Sequence, residues 1–390
     1  MAVRETDHKN LNLAQLQRDI IKGKADGKIL WQPRIACWYD DKIYTGEKLP
    51  DELEGLTLPE IYTKIGCSNR IYDYNACFVK ENDSRVKVHE KKLSALETAY
   101  TIETPVGSVN SIVRANDSNG GTYPKKWFVE NEEDMKILMW MEERCTWRWD
   151  KQKYQELLKT WGDIGAPAMF MPRVNVQHLY HDVMGVEAGI FAIYDYPEMV
   201  DKYFKVLAES HERMIAVIND SPIEFINFGD NLHCGTLPAD LFKKYVLPVY
   251  QSRNELLHKA GKLTSSHWDG DTKGLLPFAK ECGFDGIEAI TPKPQGDITI
   301  EEIKEVLGDD IFLIDGIAAV LFNDTYPVEE LVAQTKQIID LFGSKLILGI
   351  SDEMPSQGDI ERIKIVGQIV DEYNFQNSKH LYNGSDNSER

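Results

Sequence analysis

The sequence predicts an α/β protein built as a (β/α)8 TIM barrel with an N-terminal helical and hairpin extension. Three observations predict it. From about residue 165 onward, short apolar runs alternate with amphipathic helical segments. The runs are nearly continuous in apolar residues, as parallel strands covered on both faces must be. No Gly-rich phosphate loop opens any of the helices, which weakens the doubly wound alternative.

Residues 11–24 read as an amphipathic helix, and KILWQPRI (28–35) reads as the first strand. Residues 50–131 are irregular and polar apart from two β-rich runs around Pro105-Val106-Gly107, an inserted hairpin near 98–114. The acidic, Trp-rich stretch 130–162 has a helical period. Six further strands follow: APAMFMPRV (166–174), FINFGDNL (225–232), KLTSSHWD (262–269), FDGIEAI (284–290), IFLIDGI (311–317) and KLILGISD (345–352). Helices such as 197–218 and 238–261 separate them, so seven of eight barrel strands are in hand. Residues 1–374 are expected to form one domain, and 375–390 a polar, disordered tail.

Composition narrows the function. A net charge of −19 on 390 residues argues against nucleic acid or an anionic membrane surface as partner. Six cysteines without CxxC or framework spacing read as reduced thiols, and the N-terminus has no signal-peptide core. No stretch of about twenty apolar residues is present, so no membrane span is expected. These features point to a cytoplasmic protein.

Barrel enzymes carry their reacting groups at the C-terminal ends of the strands. Those ends here display Arg34 with Cys37, Trp38 and Tyr39; Arg173 with Asn175 and His178; Asp230 and Asn231; His267, Trp268 and Asp269; Glu288; Asp315; and Ser351, Asp352 and Glu353. Each alone has a plainer reading. Asp269 and Asp352 suit helix caps, Trp38 and Trp268 suit the core, and His178, His181, His211 and His233 suit satisfied or surface positions. Their coincidence on one face is what points to a site. His267, with Glu288 and with Asp269, Asp352 or Glu353, forms a histidine and carboxylate set able to hold zinc with one position open. The same set serves equally as a hydrogen-bonded acid/base network without metal.

At these residues the chain resembles the uroporphyrinogen decarboxylase superfamily, especially its corrinoid-dependent methyltransferase branch. That branch holds the methylcobamide:coenzyme M methyltransferases and the methyltransferase components of O-demethylases. The matching segments are ETPVGSV (103–109), residues 172–207, FGDNLHCGTLPADLFKKYVLPVYQ (228–251), HWDGD (267–271), GFDGIEAI (283–290) and KLILGISDEMPSQGDIERI (345–363). The resemblance implies a distorted (β/α)8 barrel that moves a methyl group from a small donor, an O-methyl compound such as a methoxyaromatic, to the Co(I) of a separate corrinoid (cobalamin-binding) protein. Two departures matter. The arginine-rich segment with which decarboxylases grip carboxylates is replaced by WQPRIACWYDD, leaving Arg34. The His-x-Cys and later cysteine of the zinc-thiol members are replaced by His267, Asp269 and Asp352-Glu353.

The set of roles expected is then as follows. His267 and Glu288 ligate zinc, with Asp269, Asp352 or Glu353 as a further ligand, and the site activates the leaving oxygen. Asp230 and Asn231 orient the substrate; Trp38, Tyr39 and Trp268 wall its pocket. Arg34 or Arg173 meets a carboxylate on it, and Asp315 lies in the same substrate site. A uroporphyrinogen decarboxylase-type lyase and a non-catalytic barrel that binds a corrinoid protein are the alternatives.

Overall fold

All seven apolar runs become strands of one sheet. The computed structural model describes residues 12–116 and 120–384, with side chains to Asn377. The strands in chain order are β1 (Leu30–Trp31), β2 (Phe78–Glu81), β3 (Lys87–Lys92), β4 (Glu97–Thr104), β5 (Gly107–Ala115), β6 (Thr122–Lys126) and β7 (Thr146–Trp149). They continue with β8 (Ala168–Met171), β9 (Phe225–Phe228), β10 (Leu263–His267), β11 (Gly286–Glu288), β12 (Phe312–Ala318) and β13 (Leu346–Ser351). The main sheet runs β1-β13-β12-β11-β10-β9-β8, and every pair in it is parallel.

A polar segment fills the eighth position. Ser68 N donates to Trp31 O at 3.0 Å, and Ala168 N donates to Ile71 O at 3.3 Å. Ile71 also bridges Pro167 in parallel. Residues 68–71 thus join β1 to β8 and close a distorted barrel without a regular strand. Seen from the other end, the helix Leu13–Ile21 plugs the barrel floor: its Ile20 packs with Leu30, Phe312, Ile314 and Ile347. Gln17 reaches inward from this helix, accepting from Gln32 Nε2 at 3.3 Å and from Ala166 N at 3.0 Å.

Helices cover the outside, including Pro197–Asn219, Leu247–Lys259, Ile300–Leu307 and Val328–Phe342. The third of these starts at a capping box, in which Thr299 and Glu302 satisfy each other's backbone N–H groups. No described helix is long and apolar enough to cross a membrane.

The expected 98–114 hairpin is present, and two other local expectations differ from the structure. The 98–114 hairpin, β4 and β5, belongs to a four-stranded antiparallel sheet in the order β3-β4-β5-β6. The 130–162 stretch is two helices, Glu132–Glu142 and Lys151–Trp161, separated by β7, which pairs with β2. The alternation Thr146-Trp147-Arg148-Trp149, exposed and half-buried in turn, has the strand period of two. Finally, the last helix runs Ile360–Gly384, so its end occupies part of the stretch expected as a polar tail. Asn374 accepts from Ile29 N and donates to Ile29 O, and Asn377 donates to Gly27 O, so polar side chains fasten this helix to the start of the barrel. Residues 385–390 of that expected tail lie outside the described residues.

Candidate active site

Strand register gathers the site. His267 and Glu288 end β10 and β11 as direct neighbours, and Asn227 of β9 lies in register with Ser265. Paired residues in a parallel sheet point the same way, so Asn227, Ser265, His267 and Glu288 share the barrel lumen. His267 Nδ1 lies 2.9 Å from Glu288 Oε1. Glu288 is fully buried, accepts from Tyr72 OH at 2.7 Å and Asn227 Nδ2 at 2.8 Å, and forms an ion pair with Arg70 Nη1 at 2.9 Å.

Electrostatics follow from these contacts. Burial would raise Glu288, but Arg70, His267 and Arg34 hold its carboxyl well below the usual range. Burial would lower His267, but the hydrogen bond and charge of Glu288, helped by Asp352, leave it above its usual value. Arg70 also grips Asp315 through both oxygens, at 3.1 and 2.5 Å. Burial pushes Asp315 up to about 6 while Arg70 opposes the rise. Asp315 reaches the lumen because its backbone is left-handed, with φ 79°, and because Gly349 leaves room for it. A Cβ on Gly349 would stand 2.2 Å from Asp315 Oδ1.

Three polar groups sit above this layer. His267 Nε2 lies 3.8 Å from Asp269 Oδ1 and 3.5 Å from Asp352 Oδ1, and these three donor atoms all fall within 4.8 Å of one another. A tetrahedral ion with bonds of about 2.0–2.1 Å spaces its donors about 3.3 Å apart, close to both histidine–carboxylate distances. Asp269 Oδ1 is buried and has no hydrogen-bond partner among the described residues, as is Glu353 Oε2. Burial raises both carboxyl groups above their usual values. The donor set therefore fits zinc. Glu288, expected as a ligand, instead turns its carboxylate to the other nitrogen of His267; a carboxylate there fixes the tautomer and leaves Nε2 as the outward donor.

The remaining expected residues divide. Arg34 reaches the site: Nη1 pairs with Asp352, and Nη2 lies 2.7 Å from Glu353 Oε1. Asp230 is fully buried. Its oxygens accept from Val174 N and Tyr250 OH, both at 2.7 Å, and it joins the loops after β8 and β9. Asn231 adjoins it with a left-handed φ of 51°, its carbonyl accepting from Gln177. Trp38 and Trp268, expected as pocket walls, are sealed in the core, where their indole N–H groups donate to Gly358 O and Ser266 Oγ. Tyr39 is half-buried and its hydroxyl donates to Leu56 O. Arg173 pairs with Asp182 at 2.8 Å, and Asp315 is wholly enclosed with Arg70.

Sequence reasoning missed Arg70, Tyr72, Asn227 and Phe170. Phe170 is in register with Asn227, so it faces the lumen, yet it is 44% exposed. Its ring meets Tyr72 edge-on with centroids 5.5 Å apart. These two rings, not the tryptophans, lie on the lumen side, with the Tyr72 hydroxyl on Glu288. Beside the Arg70–Glu288 layer lies a small cavity bounded by Gln17, Gln32, Asn227 and Ile314.

A uroporphyrinogen decarboxylase (URO-D) family model matches residues 179–373. Among solved structures, a methyltransferase from Methanosarcina mazei is similar over 93% of this chain and 98% of its own, at 12% identity and a TM-score of 0.57. At that identity the likeness speaks for the fold. A B12-independent methionine synthase from Shewanella sp. W3-18-1 aligns over 91% of this chain and 98% of its own at 12% identity, with a TM-score of 0.38, too low to argue from. None of the curated proteins matches the sequence.

Proposed function

The chain belongs to the uroporphyrinogen decarboxylase family, and on that premise we propose that it is a methyltransferase. The methyl group comes from a small O-methyl donor, and the acceptor is the Co(I) of a corrinoid carried by a separate protein. The observation that carries this reading is the outward Nε2 of His267 between Asp269 and Asp352, at the barrel end where this fold does chemistry.

Co(I) is itself a strong nucleophile, so no Ser or Cys nucleophile is required of the chain. The acceptor's electron pair forms the Co–CH3 bond, and the C–O bond breaks with its pair going to oxygen. That oxygen leaves poorly unless its charge is met, and each factor of ten in rate corresponds to about 1.4 kcal/mol. His267, Asp269 and Asp352 would hold zinc, with Glu353 beside them. When bound there, the ion would act as a Lewis acid toward the donor's oxygen. Without it, His267 is the acid: Glu288 favours the protonated ring, and Nε2–H is the proton within reach of a leaving oxygen. Phe170 and Tyr72 flank the apolar part of the donor.

The decarboxylase alternative fits the charges poorly. Arg70 is fully engaged with Asp315 and Glu288, and Arg34 with Asp352 and Glu353. A porphyrinogen bearing several carboxylates would meet Asp269, Asp352 and Glu353 with no free arginine among the described lumen residues.

The test is to mix the protein with reduced corrinoid protein and a panel of methoxylated compounds. Appearance of the methylcobalt absorption spectrum is expected, along with stoichiometric zinc in the purified protein. His267→Ala should abolish the spectrum with the circular dichroism unchanged. Porphyrinogen decarboxylation without methyl transfer would overturn the proposal.

A further inference from the structure

One oxygen of the site serves two partners. Asp352 Oδ1 accepts from Arg34 Nη1, and the same atom lies 3.5 Å from His267 Nε2 within the metal-competent triad. The guanidinium is held there from a second side, since its Nη2 lies 2.7 Å from Glu353 Oε1. Glu288 Oε1 is 3.8 Å from Nη1, so Arg34 faces three carboxylates at once. Among the described residues it is the only Lys or Arg paired with Asp352 or Glu353, because Arg70 is committed to Asp315 and Glu288.

We infer that Arg34 is the resident counter-cation of the metal site, and that metal uptake drives its guanidinium off Asp352 Oδ1. The inference rests on the metal-binding part of the function proposed above. The reasoning is electrostatic. A divalent ion bonded to Asp352 Oδ1 would sit across a single oxygen atom from the guanidinium. Like charges that close repel strongly where water is scarce, and the Arg34 side chain is only 18% exposed. A lysine or histidine in this position would relieve the repulsion by losing a proton, but arginine stays charged. Relief must come from movement, and Glu353 provides the tether on which the side chain turns. Part of the ion's binding energy is consequently used to displace an internal cation, so the wild-type site is weaker than its ligands alone would make it.

Glu353 fits the same account. Its Oε1 holds Arg34 while Oε2 is buried without a partner among the described residues, so the carboxylate has unused capacity for the second guanidinium nitrogen once Asp352 lets go. Asp269 holds the opposite side of the triad without any arginine, and its unpartnered Oδ1 is the donor that makes no exchange on metal uptake.

The experiment is zinc affinity by competition with a chromophoric chelator, measured on wild type, Arg34→Gln, Arg34→Lys and the double variant Arg34→Gln/Asp269→Asn. Arg85→Gln is the control, a surface arginine paired with Asp83. Arg34→Gln should bind zinc at least tenfold more tightly than wild type. Arg34→Lys, which keeps a cation in the empty site but can give up its proton when the ion arrives, should fall between them. The double variant should lose the gain, and Arg85→Gln should match wild type, which separates a local effect from a change in net charge. Equal or weaker zinc binding by Arg34→Gln overturns the inference. If wild type and Arg34→Gln bind zinc equally at the triad, the metal reading stands and this inference alone falls; if neither binds zinc there, both fall.

Discussion

Two regions of this protein use the same charged residues at nearly the same distances, and to different ends. In the lumen, Arg70 meets Glu288 at 2.9 Å and Asp315 at 2.5 Å, with all three side chains buried. In the outer antiparallel sheet, Lys125 meets Glu97 at 2.7 Å and Arg114 meets the same oxygen at 3.2 Å, but the three side chains are 48, 19 and 32% exposed in the order Lys125, Glu97, Arg114. Distance does not separate the two regions; solvent does. A buried ion pair has given up its hydration and depends on its partner, whereas an exposed one exchanges its partner for water at little cost. The lumen network is therefore fragile to single deletions, and the sheet is tolerant of them.

The sharpest way to break this comparison is Arg70→Leu. It leaves Glu288 and Asp315 buried without their guanidinium, and it removes the segment's hold on the eighth barrel position through Gln32. The expected loss is about 3–5 kcal/mol, seen as a lower urea midpoint. A loss below 1 kcal/mol would mean that the lumen behaves like the surface.

Glu288→Gln should follow, at about 2–3 kcal/mol, because a charge-assisted network is weakened without leaving a bare charge. Its pH dependence carries a sign. Glu288 is depressed on folding, so its contribution is present above the unfolded value of about 4.3 and lost as pH falls through the folded pKa. His267 is raised on folding, so its contribution is present below about 6.5 and lost as pH rises through the folded pKa. The gap between wild type and variant should be widest near pH 5.5 and narrower at pH 9, checked by urea unfolding at the two pH values. A gap that grows toward pH 9 would contradict the pairing.

The same contrast explains what the sequence disclosed. The seven strands were legible because parallel strands buried on both faces read as unbroken apolar runs. The eighth position was not, because Ser68-Asn69-Arg70-Ile71 turns polar side chains into the barrel and has no apolar period. His267, Asp269, Asp352 and Arg34 were legible because rim residues follow directly on strands. Which carboxylates stay open was not, since Asp230 is taken up by Tyr250 of the following helix and Asp315 by Arg70 from a remote part of the chain. Trp268 carried an unused signal: alternation along β10 sends the residue after His267 to the opposite face.

Gly349→Ala tests how tightly the lumen is fitted. The added methyl would crowd Asp315 Oδ1 at 2.2 Å and the backbone Gln32 O at 2.8 Å, and Asp315 cannot retreat without opening its contacts with Arg70. An overpacking cost of about 1–3 kcal/mol is expected in thermal unfolding. A neutral result would show that Asp315 moves freely, against its double contact with Arg70.

The smallest expected effect is the most discriminating. Lys125→Ala removes an ion pair whose length lies between those of the two Arg70 pairs in the lumen, so a rule based on distance alone would rank it with them. Glu97 keeps Arg114 as a partner and remains open to water, and Lys125 is itself about half exposed. The thermal midpoint should stay where it is at physiological salt, and any difference seen in low salt should vanish as salt is added, because exposed pairs are screened within about 8–10 Å. A salt-independent fall comparable to that of Gly349→Ala would mean that the outer sheet, too, depends on fixed partners, and the division between lumen and surface would no longer rest on solvent.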